Sequence, residues 1–431
     1  MSDSGETVAI IGGGISGLAT HHFLQQQGVE STVFEAAPNP GGVIQTTLEA
    51  GRILDHGPQR TRRTPIVQTL IDSIDLNERI IEATDRPLYM YHDETLRRVP
   101  TSIASALTTD LLSVRGKLRI LAEPLREVEP RPGESVLDYF IRTMGQEFAE
   151  RIGGPLYAGL YASDPTEMPV EHSLARALDR VGVEGSLVAY AIRKTMRRQS
   201  PPQMISFDDG MAVLVNRLAT TYRDCIRLET PVRELTAVDP GYRVRTADGT
   251  QTIDHVVLAT QAPTVGQLLS GVDDRLAKQF TALTYNPIIV VHLQAERTLH
   301  GAGFQVSWGN SSVIRGATWN CSLFPGASLG RDGIYTVYLD ADRVNMTDSK
   351  EAIGNRAARA FEAITELPVA PLDVTIVRPG MPAYDRSWDG LLDQDTKSGL
   401  HLCTSALDRA GISGRLAHAR SVASKVAANL E

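Results

Sequence analysis

An apolar run, Val8-Ala9-Ile10-Ile11, breaks on Gly12-Gly13-Gly14-Ile15-Ser16-Gly17, and a second run, Thr32-Val33-Phe34, ends on Glu35. Between them Leu18, Phe23 and Leu24 recur at helical spacing up to Gly28. Strand, glycine turn, helix, strand and acid in that order form a βαβ unit with a dinucleotide-binding fingerprint. Each glycine has its own task there. Gly12 permits the tight turn, Gly14 leaves bare backbone for a pyrophosphate, and Gly17 lets helix and strand approach closely. The helix start offers unpaired N–H groups and partial positive charge to the phosphates. Glu35, about 20 residues past the glycines, is placed to accept from ribose hydroxyls. The expectation is a chain founded on a parallel α/β domain.

The acid alone does not choose the cofactor. Pro38-Asn39-Pro40-Gly41-Gly42-Val43 follows it, and a glycine pair gives a second place where backbone can come close to a ligand. Asp55-His56-Gly57-Pro58-Gln59 gives a third. A cofactor lying extended through the domain uses such segments, which favours FAD over NAD.

With 431 residues, 42% of them hydrophobic, the chain has material for two cored domains. Its net charge of −8 suggests no nucleic-acid partner. The basic clusters, Arg60, Arg62, Arg63 and Arg193, Lys194, Arg197, Arg198, are local. Cys225, Cys321 and Cys403 are odd in number, far apart and without metal spacing, so a reducing compartment is expected and no metal. The start of the chain is polar and acidic, unlike a signal peptide, and no apolar run has the length of a membrane span. The location expected is therefore cytoplasmic. A peripheral membrane face is the alternative for residues near Leu118, Ile120 and Leu121, which Arg115, Lys117 and Arg119 flank.

Along the chain, residues 1–85 read as the first part of the cofactor domain, with a helix opening at Thr64-Pro65. Residues 86–204 read as a hairpin and a helical insert, in which Ile103, Leu107, Leu111, Leu112, Val114, Leu118 and Leu121 form a stripe expected mainly in the core. Residues 205–270 return to the cofactor domain with strands at 226–235, 242–246 and 252–259. Residues 271–378 suggest an antiparallel substrate-binding sheet, with a helix near 349–366. Residues 379–431 close the cofactor domain, and Pro368, Pro371, Pro379 and Pro382 punctuate the return to it. A last short strand at 399–403 and a helix at 414–429 follow. The class expected is α/β: a Rossmann-type FAD-binding domain with an antiparallel-sheet substrate domain and a helical insert. This discontinuous layout places an active site between the domains. His21-His22 reads as helix surface.

Gly154-Pro155-Leu156-Tyr157-Ala158-Gly159-Leu160-Tyr161-Ala162-Ser163-Asp164-Pro165 resembles the "PL..GIYA.DP" segment of the oxygen-dependent protoporphyrinogen/coproporphyrinogen oxidases, within the FAD-dependent amine oxidase superfamily. Phe207-Asp208-Asp209-Gly210-Met211 resembles their "F..GM..L", Gly185-Ser186-Leu187 their "GSL", and Pro382-Ala383-Tyr384 their "P.Y". The resemblance covers nearly the whole chain. One departure stands out. Relatives carry Gly-Asn in an "AGN" segment touching the flavin, where this chain has Cys403-Thr404-Ser405. Hydroxyls of Thr404 or Ser405 could replace that contact, and Gly411-Ile412 matches the later "G-I" beside the flavin ring.

The resemblance implies six-electron oxidation of a porphyrinogen to a porphyrin in haem biosynthesis, with FAD as hydride acceptor and molecular oxygen as final acceptor. The flavin carries the chemistry, so no catalytic side chain is expected. The candidate cofactor contacts are Gly12, Gly14, Ile15, Ser16, Gly17, Glu35, Ala36, Gly41, Gly42, Val43, Gly57, Pro58, Val232, Ala259, Thr404, Ser405, Gly411 and Ile412. Arg62 matches the arginine relatives use after the Gly-Pro turn, with Arg60 beside it, to meet a propionate bidentately. Tyr157, Leu160 and Tyr161 are candidate walls for the macrocycle. Another amine oxidase, a carotenoid-desaturase-like enzyme, or a non-catalytic flavoprotein are the competing readings.

Overall fold

The structure is a computed structural model that describes residues 7–180, 182–183, 185–197, 200–325, 331, 333–391, 396–407 and 411–430. The chain divides into two compact units. The first comprises Met1–Ala83, Pro202–Leu283 and Ser387–Glu431, the second Thr84–Pro201 and Thr284–Arg386.

The first unit is organised by a five-stranded, wholly parallel sheet. Its order is Ile226–Arg227, Thr32–Phe34, Val8–Ile11, His255–Leu258, Leu400–Leu402. Val8–Ile11 is buried along its full length, as a central parallel strand covered on both faces must be. The helix Ile15–Gln25 packs along the C-terminal helix Ile412–Leu430, and Leu18, Ala19, Leu416, Ala419, Ala423 and Val426 share one core. The small alanines on the long helix let the two axes come close.

Two strand expectations in this unit are corrected. The run 226–235 is two strands, Ile226–Arg227 and Glu234–Ala237. Pro231 cannot donate to a ladder, and Glu229 takes a positive φ of 52°, so pairing stops between them. The run 252–259 divides at Asp254. Thr250–Ile253 ends an antiparallel three-stranded sheet with Glu234–Ala237 and Tyr242–Arg245, whereas His255–Leu258 joins the parallel sheet. The Asp254 carboxylate takes the Thr7 N–H (2.7 Å) and hydroxyl (2.9 Å), which fixes the crossover.

The second unit holds a seven-stranded sheet, in order Ala370–Pro382, Tyr285–Gln294, Ile334–Leu339, Ile314–Trp319, Gly303–Val306, Leu88–His92, Thr95–Arg98. Its pairs are antiparallel except Gly303–Val306 with Leu88–His92. Helix Lys350–Thr365 buries Ile353, Ala357 and Phe361 against Phe304, Tyr335 and Val337. Helical segments run between Ile103 and Met196.

Three of the four prolines expected to mark a crossing, Pro371, Pro379 and Pro382, instead sit in a strand of 13 residues, Ala370–Pro382, and Pro368 lies just before it. The strand lies at the edge of the sheet, where a residue without an N–H leaves no neighbour unpaired. The apolar stripe of the helical insert is also divided. Leu111 and Leu112 are buried, but Leu107, Val114, Leu118 and Leu121 are exposed. Among the described residues, no helix is long and apolar enough to cross a membrane.

Candidate cofactor site

The parallel sheet reverses direction of growth at its centre. From Val8–Ile11 the chain adds strands first on one side, and later, with His255–Leu258 and Leu400–Leu402, on the other. In open α/β sheets ligands bind outside the carboxyl ends of the strands at such a switch point. The residues found there are Gly12 to Gly14 after the first strand, Ala259 and Thr260 after His255–Leu258, and Cys403 to Ser405 after the last strand.

The glycines behave as their spacing predicts, for reasons now visible. Gly12 has φ +112°, and a Cβ on it would lie 2.9 Å from the Ala259 carbonyl oxygen. A Cβ on Gly17 would meet the Gly12 carbonyl oxygen at 1.9 Å, so helix and turn close only without a side chain. Gly14 and Gly42 differ from these. Around a Cβ at Gly14 the nearest atom is the Gly42 Cα, 3.9 Å away; at Gly42 it is the Gly14 Cα, 3.3 Å away. The two bare backbones lie close together, near enough that a side chain on either would contact the other. Gly14 and Gly41 form a parallel bridge, with the Gly41 N–H donating to the Gly13 carbonyl at 2.8 Å.

This cradle adjoins the start of helix Ile15–Gln25. No side chain caps that helix at Gly14, and no acidic residue lies in its first turn. Its first N–H groups and its dipole therefore suit an anion. Ile15 and Ser16, in that turn, are buried. Side chains smaller than Cβ where a ligand must approach, an uncapped helix start and a switch point together fit a dinucleotide diphosphate.

Glu35 is held from both sides. Its Oε2 accepts the Gly13 N–H at 2.6 Å and its Oε1 the Ala37 N–H at 2.8 Å. A carboxylate oxygen has more than one lone pair, so Glu35 can brace the glycine turn and still accept from a ribose. Ala36 is exposed beside it, and Val232 is half-buried on the segment whose Thr230 N–H donates to the Glu35 carbonyl at 2.9 Å.

The second glycine segment is braced by a group whose role the sequence did not disclose. Buried Asp55 accepts the Met211 N–H at 2.8 Å and the Thr46 hydroxyl at 2.6 Å, and Thr46 Oγ1 accepts the Ala212 N–H at 3.0 Å. These bonds satisfy the start of helix Ala212–Thr221, whose Val215 is so close to Gly41 that a Cβ there would come within 2.8 Å. Gly57 completes the bracing, since a Cβ on it would lie 2.0 Å from the Val43 carbonyl oxygen. Val43 is exposed and Pro58 half-buried. Arg79 pairs with Asp208 and Asp209, anchoring the turn that carries Gly210 and Met211.

At the last strand, Thr404 is buried and its Oγ1 accepts the Ala406 N–H at 3.4 Å; Ser405 is half-buried. Gly411 has φ +97°, and Ile412 is buried at the start of the C-terminal helix. Arg62 is exposed on the short strand Thr61–Arg62 and donates to the Pro202 carbonyl at 3.3 Å, with Arg60 half-buried before it.

The remaining candidates belong to the second unit. Tyr157, Leu160 and Tyr161 lie on helix Gly154–Tyr161, which continues a π-turn over Ala149–Gly153. Gly153 is required there, since a Cβ would lie 2.8 Å from Phe148 and 2.9 Å from Phe140. The Tyr157 and Tyr161 rings stack at 5.0 Å, and Tyr384 meets Tyr161 edge-on at 4.9 Å. Leu160 is 57% exposed.

His21 and His22, expected on the surface, are both buried, because the first helix is covered on all sides. His21 Nδ1 bonds Ser31 Oγ at 2.7 Å, and His22 bonds the Tyr222 hydroxyl at 2.8 Å and the Ser73 hydroxyl at 3.0 Å.

Residues 15–379 match the family described as flavin containing amine oxidoreductase. The chain belongs to that family. Its cofactor is FAD. Among curated proteins it is similar to protoporphyrinogen oxidase 2 of Arabidopsis thaliana, 24% identical over 90% of this chain and 86% of that protein. It is likewise similar to coproporphyrinogen III oxidase of Staphylococcus aureus, 26% identical over 74% and 75%. The fold matches a crystal structure from Exiguobacterium sp., provisionally named a protoporphyrinogen oxidase, with TM-score 0.79, 23% identity and 99% of both chains covered. It also matches cyclohexylamine oxidase of Brevibacterium oxydans, with TM-score 0.69, 16% identity and 99% of both chains.

In this flavoprotein the residues that would hold FAD are those just described. Gly12 to Gly17 with the helix start would meet its diphosphate, Glu35 its ribose, and Gly41-Gly42 would lend a second stretch of bare backbone.

Proposed function

We propose that this flavoprotein oxidises a porphyrinogen, protoporphyrinogen IX or coproporphyrinogen III, to its porphyrin with molecular oxygen as acceptor, a step of haem biosynthesis. The observation that carries the reading is the pair of relatives above, each named for such an oxidation and each aligned over about three-quarters of this chain or more. FAD, when bound, supplies the acceptor for hydride and the route to oxygen.

The protein's own contribution is binding and orientation. Exposed Arg62 has a planar guanidinium suited to a propionate, and its bond to Pro202 restrains it. Arg60 stands two residues away. Tyr161 is buried behind Tyr157 and Tyr384, which leaves half-buried Tyr157 and exposed Leu160 as the accessible apolar side chains for a tetrapyrrole face.

A peripheral membrane face accompanies this reading, with the enzyme otherwise cytoplasmic. Val114 and Leu118 on helix Val114–Leu121 are 74% and 61% exposed, and Leu125 just beyond is 89% exposed. Arg115, Lys117 and Arg119 flank them, which suits an anionic lipid surface.

The test presents purified holoprotein with coproporphyrinogen III and protoporphyrinogen IX in parallel, anaerobically and then in air. Porphyrin fluorescence should grow with one of them on admission of oxygen. Arg62→Glu should raise KM for that substrate at least tenfold and leave flavin content unchanged. Emission with neither substrate ends the porphyrinogen reading, and an unchanged KM removes Arg62 from the substrate site.

A further inference from the structure

Successive side chains of strand Gly303–Val306 point to opposite faces of the seven-stranded sheet. Phe304 and Val306 join the core with helix Lys350–Thr365, so Gln305 between them points to the other face. Its partners in the sheet are Gly316 on one side and Met90 on the other. Met90 is fully buried in a small apolar cluster with Ile152, and Leu156 packs at its margin. Helix Gly154–Tyr161 lies over this face and brings Gly159 against Gln305.

The Gln305 amide is held between two glycines. A Cβ on Gly159 would lie 2.5 Å from its Oε1 and 3.0 Å from its Nε2. A Cβ on Gly316 would lie 2.8 Å from both of those atoms. Bare backbone therefore clamps the amide, and a side chain at either position would push it away. The clamp supplies no hydrogen bond in return. No hydrogen bond joins the Gln305 side chain to any described residue. The residue is half-buried, and neither its amide oxygen nor its nitrogen is sealed from solvent.

An ordinary surface glutamine loses rotamer freedom when a ligand orders it. Here the fold orders the amide in advance and leaves its polar edge open, which is preorganisation for a ligand. The neighbours narrow the ligand's chemistry. Leu156, half-buried Tyr157 and exposed Leu160 on the helix are apolar surface. A fitting ligand covers them and brings its own uncharged hydrogen-bonding group inward. A carboxylate is better met by a guanidinium, whereas an amide oxygen suits an uncharged N–H.

We infer that Gln305 is a substrate-contacting residue whose amide oxygen accepts a pyrrole N–H of the macrocycle. The inference rests on the porphyrinogen reading above and adds to it a residue of the sheet. Every pyrrole of a porphyrinogen carries an N–H, whereas half of those in a porphyrin present a bare nitrogen. An acceptor at this place favours the reduced macrocycle over its oxidised product.

The experiment uses the holoprotein with the porphyrinogen it oxidises. It compares wild type with Gln305→Met, of similar length and without the amide, and Gln305→Glu, which keeps the shape and still accepts. KM and kcat are read from porphyrin fluorescence, and flavin content and Tm on the same preparations. Gln305→Met should raise KM about tenfold, about 1.4 kcal/mol, with flavin content unchanged and Tm within a few degrees of wild type. Gln305→Glu, assayed at about pH 8 where a carboxyl is ionised, should keep KM within about threefold of wild type. An unchanged KM for Gln305→Met overturns the inference. Equal damage from the two substitutions also overturns it, because it excludes the acceptor. So does a rise in KM with a parallel fall in Tm, which marks packing under the helix alone. If Gln305→Met does not fold, Gln305→Leu replaces it under the same criteria. A wild type that oxidises neither porphyrinogen is a separate result. It ends the substrate reading together with Gln305's part in it, whereas the other outcomes leave that reading standing.

Discussion

The candidate ligand surfaces of the two units are built in opposite ways. In the first, the cofactor cradle is made of missing side chains: Gly12, Gly14, Gly17, Gly41 and Gly42 hold backbone where a Cβ would intrude or would fill the channel. In the second, the candidate surface is made of large side chains, Tyr157, Leu160 and Tyr161 on one helix, with Tyr384 packed against it. A wall of backbone must be built at fixed spacing along the chain, because the geometry of one turn dictates it. A wall of side chains can be assembled from any positions the fold brings together.

The largest expected effects separate two roles within the glycine cradle. Gly17→Val puts a side chain where the Gly12 carbonyl oxygen already lies 1.9 Å from the Cβ position, and the first unit should fail to fold. In Gly14→Val the Cβ of the valine meets no atom outside the adjoining residues closer than the Gly42 Cα at 3.9 Å, and Gly14 has φ −73° and ψ 178°, which any residue adopts. That variant should be soluble and folded, with a Tm within a few degrees of the cofactor-free wild type, yet colourless. Visible absorbance and thermal melting of the two variants provide the check. A yellow Gly14→Val protein would show that the diphosphate does not cross this turn.

The same contrast explains what could be read from the sequence. Val8–Ile11, the glycines and Glu35 were legible because backbone constraints repeat at known intervals. The seven-stranded sheet was legible in its apolar runs but not at its edge, where Pro371, Pro379 and Pro382 look like breaks and are tolerated for want of a neighbour. Asp55 was not legible as a bracing residue. Asp55 matters through Met211 and Thr46, partners that only the fold brings near. The histidines of the first helix were misread for a related reason. Polar residues on a helix signal solvent unless hydroxyls arrive from other elements, and Ser31, Ser73 and Tyr222 do so here.

A core change in the second unit tests the division of labour from the other side. Phe361 is fully buried, with ring centres 5.2 Å from Tyr335 and 6.1 Å from Phe304. Phe361→Ala should cost about 3–5 kcal/mol of stability through lost contacts and the cavity left behind. Since the cradle's residues all belong to the first unit, FAD affinity at a temperature where the variant remains folded should stay within about twofold of wild type. Urea unfolding and flavin titration measure the two quantities. A loss of affinity parallel to the loss of stability would mean that the cradle depends on the second unit's core.

The smallest effect concerns acid, and it falls on the first unit. Burial pulls the His21 pKa down from its ordinary 6.5 to about 4, with His22 nearby as the lesser cause. His401 is likewise lowered to about 4, by burial first and then by His255 and Lys425. A folded state that refuses a proton the unfolded chain accepts is penalised as protons become plentiful. For His21 the full stability is present above pH 6.5, declines as pH falls below it, and the loss levels off near pH 4, at about 3 kcal/mol. His21→Gln, which can still bond Ser31 but does not titrate, should flatten that part of the profile. Urea midpoints of wild type and variant at pH 7.5 and pH 4.5 give the comparison. Equal acid sensitivity in the two proteins would mean that His21 takes its proton in the folded state as readily as in the unfolded chain, which its burial and its bond to Ser31 argue against.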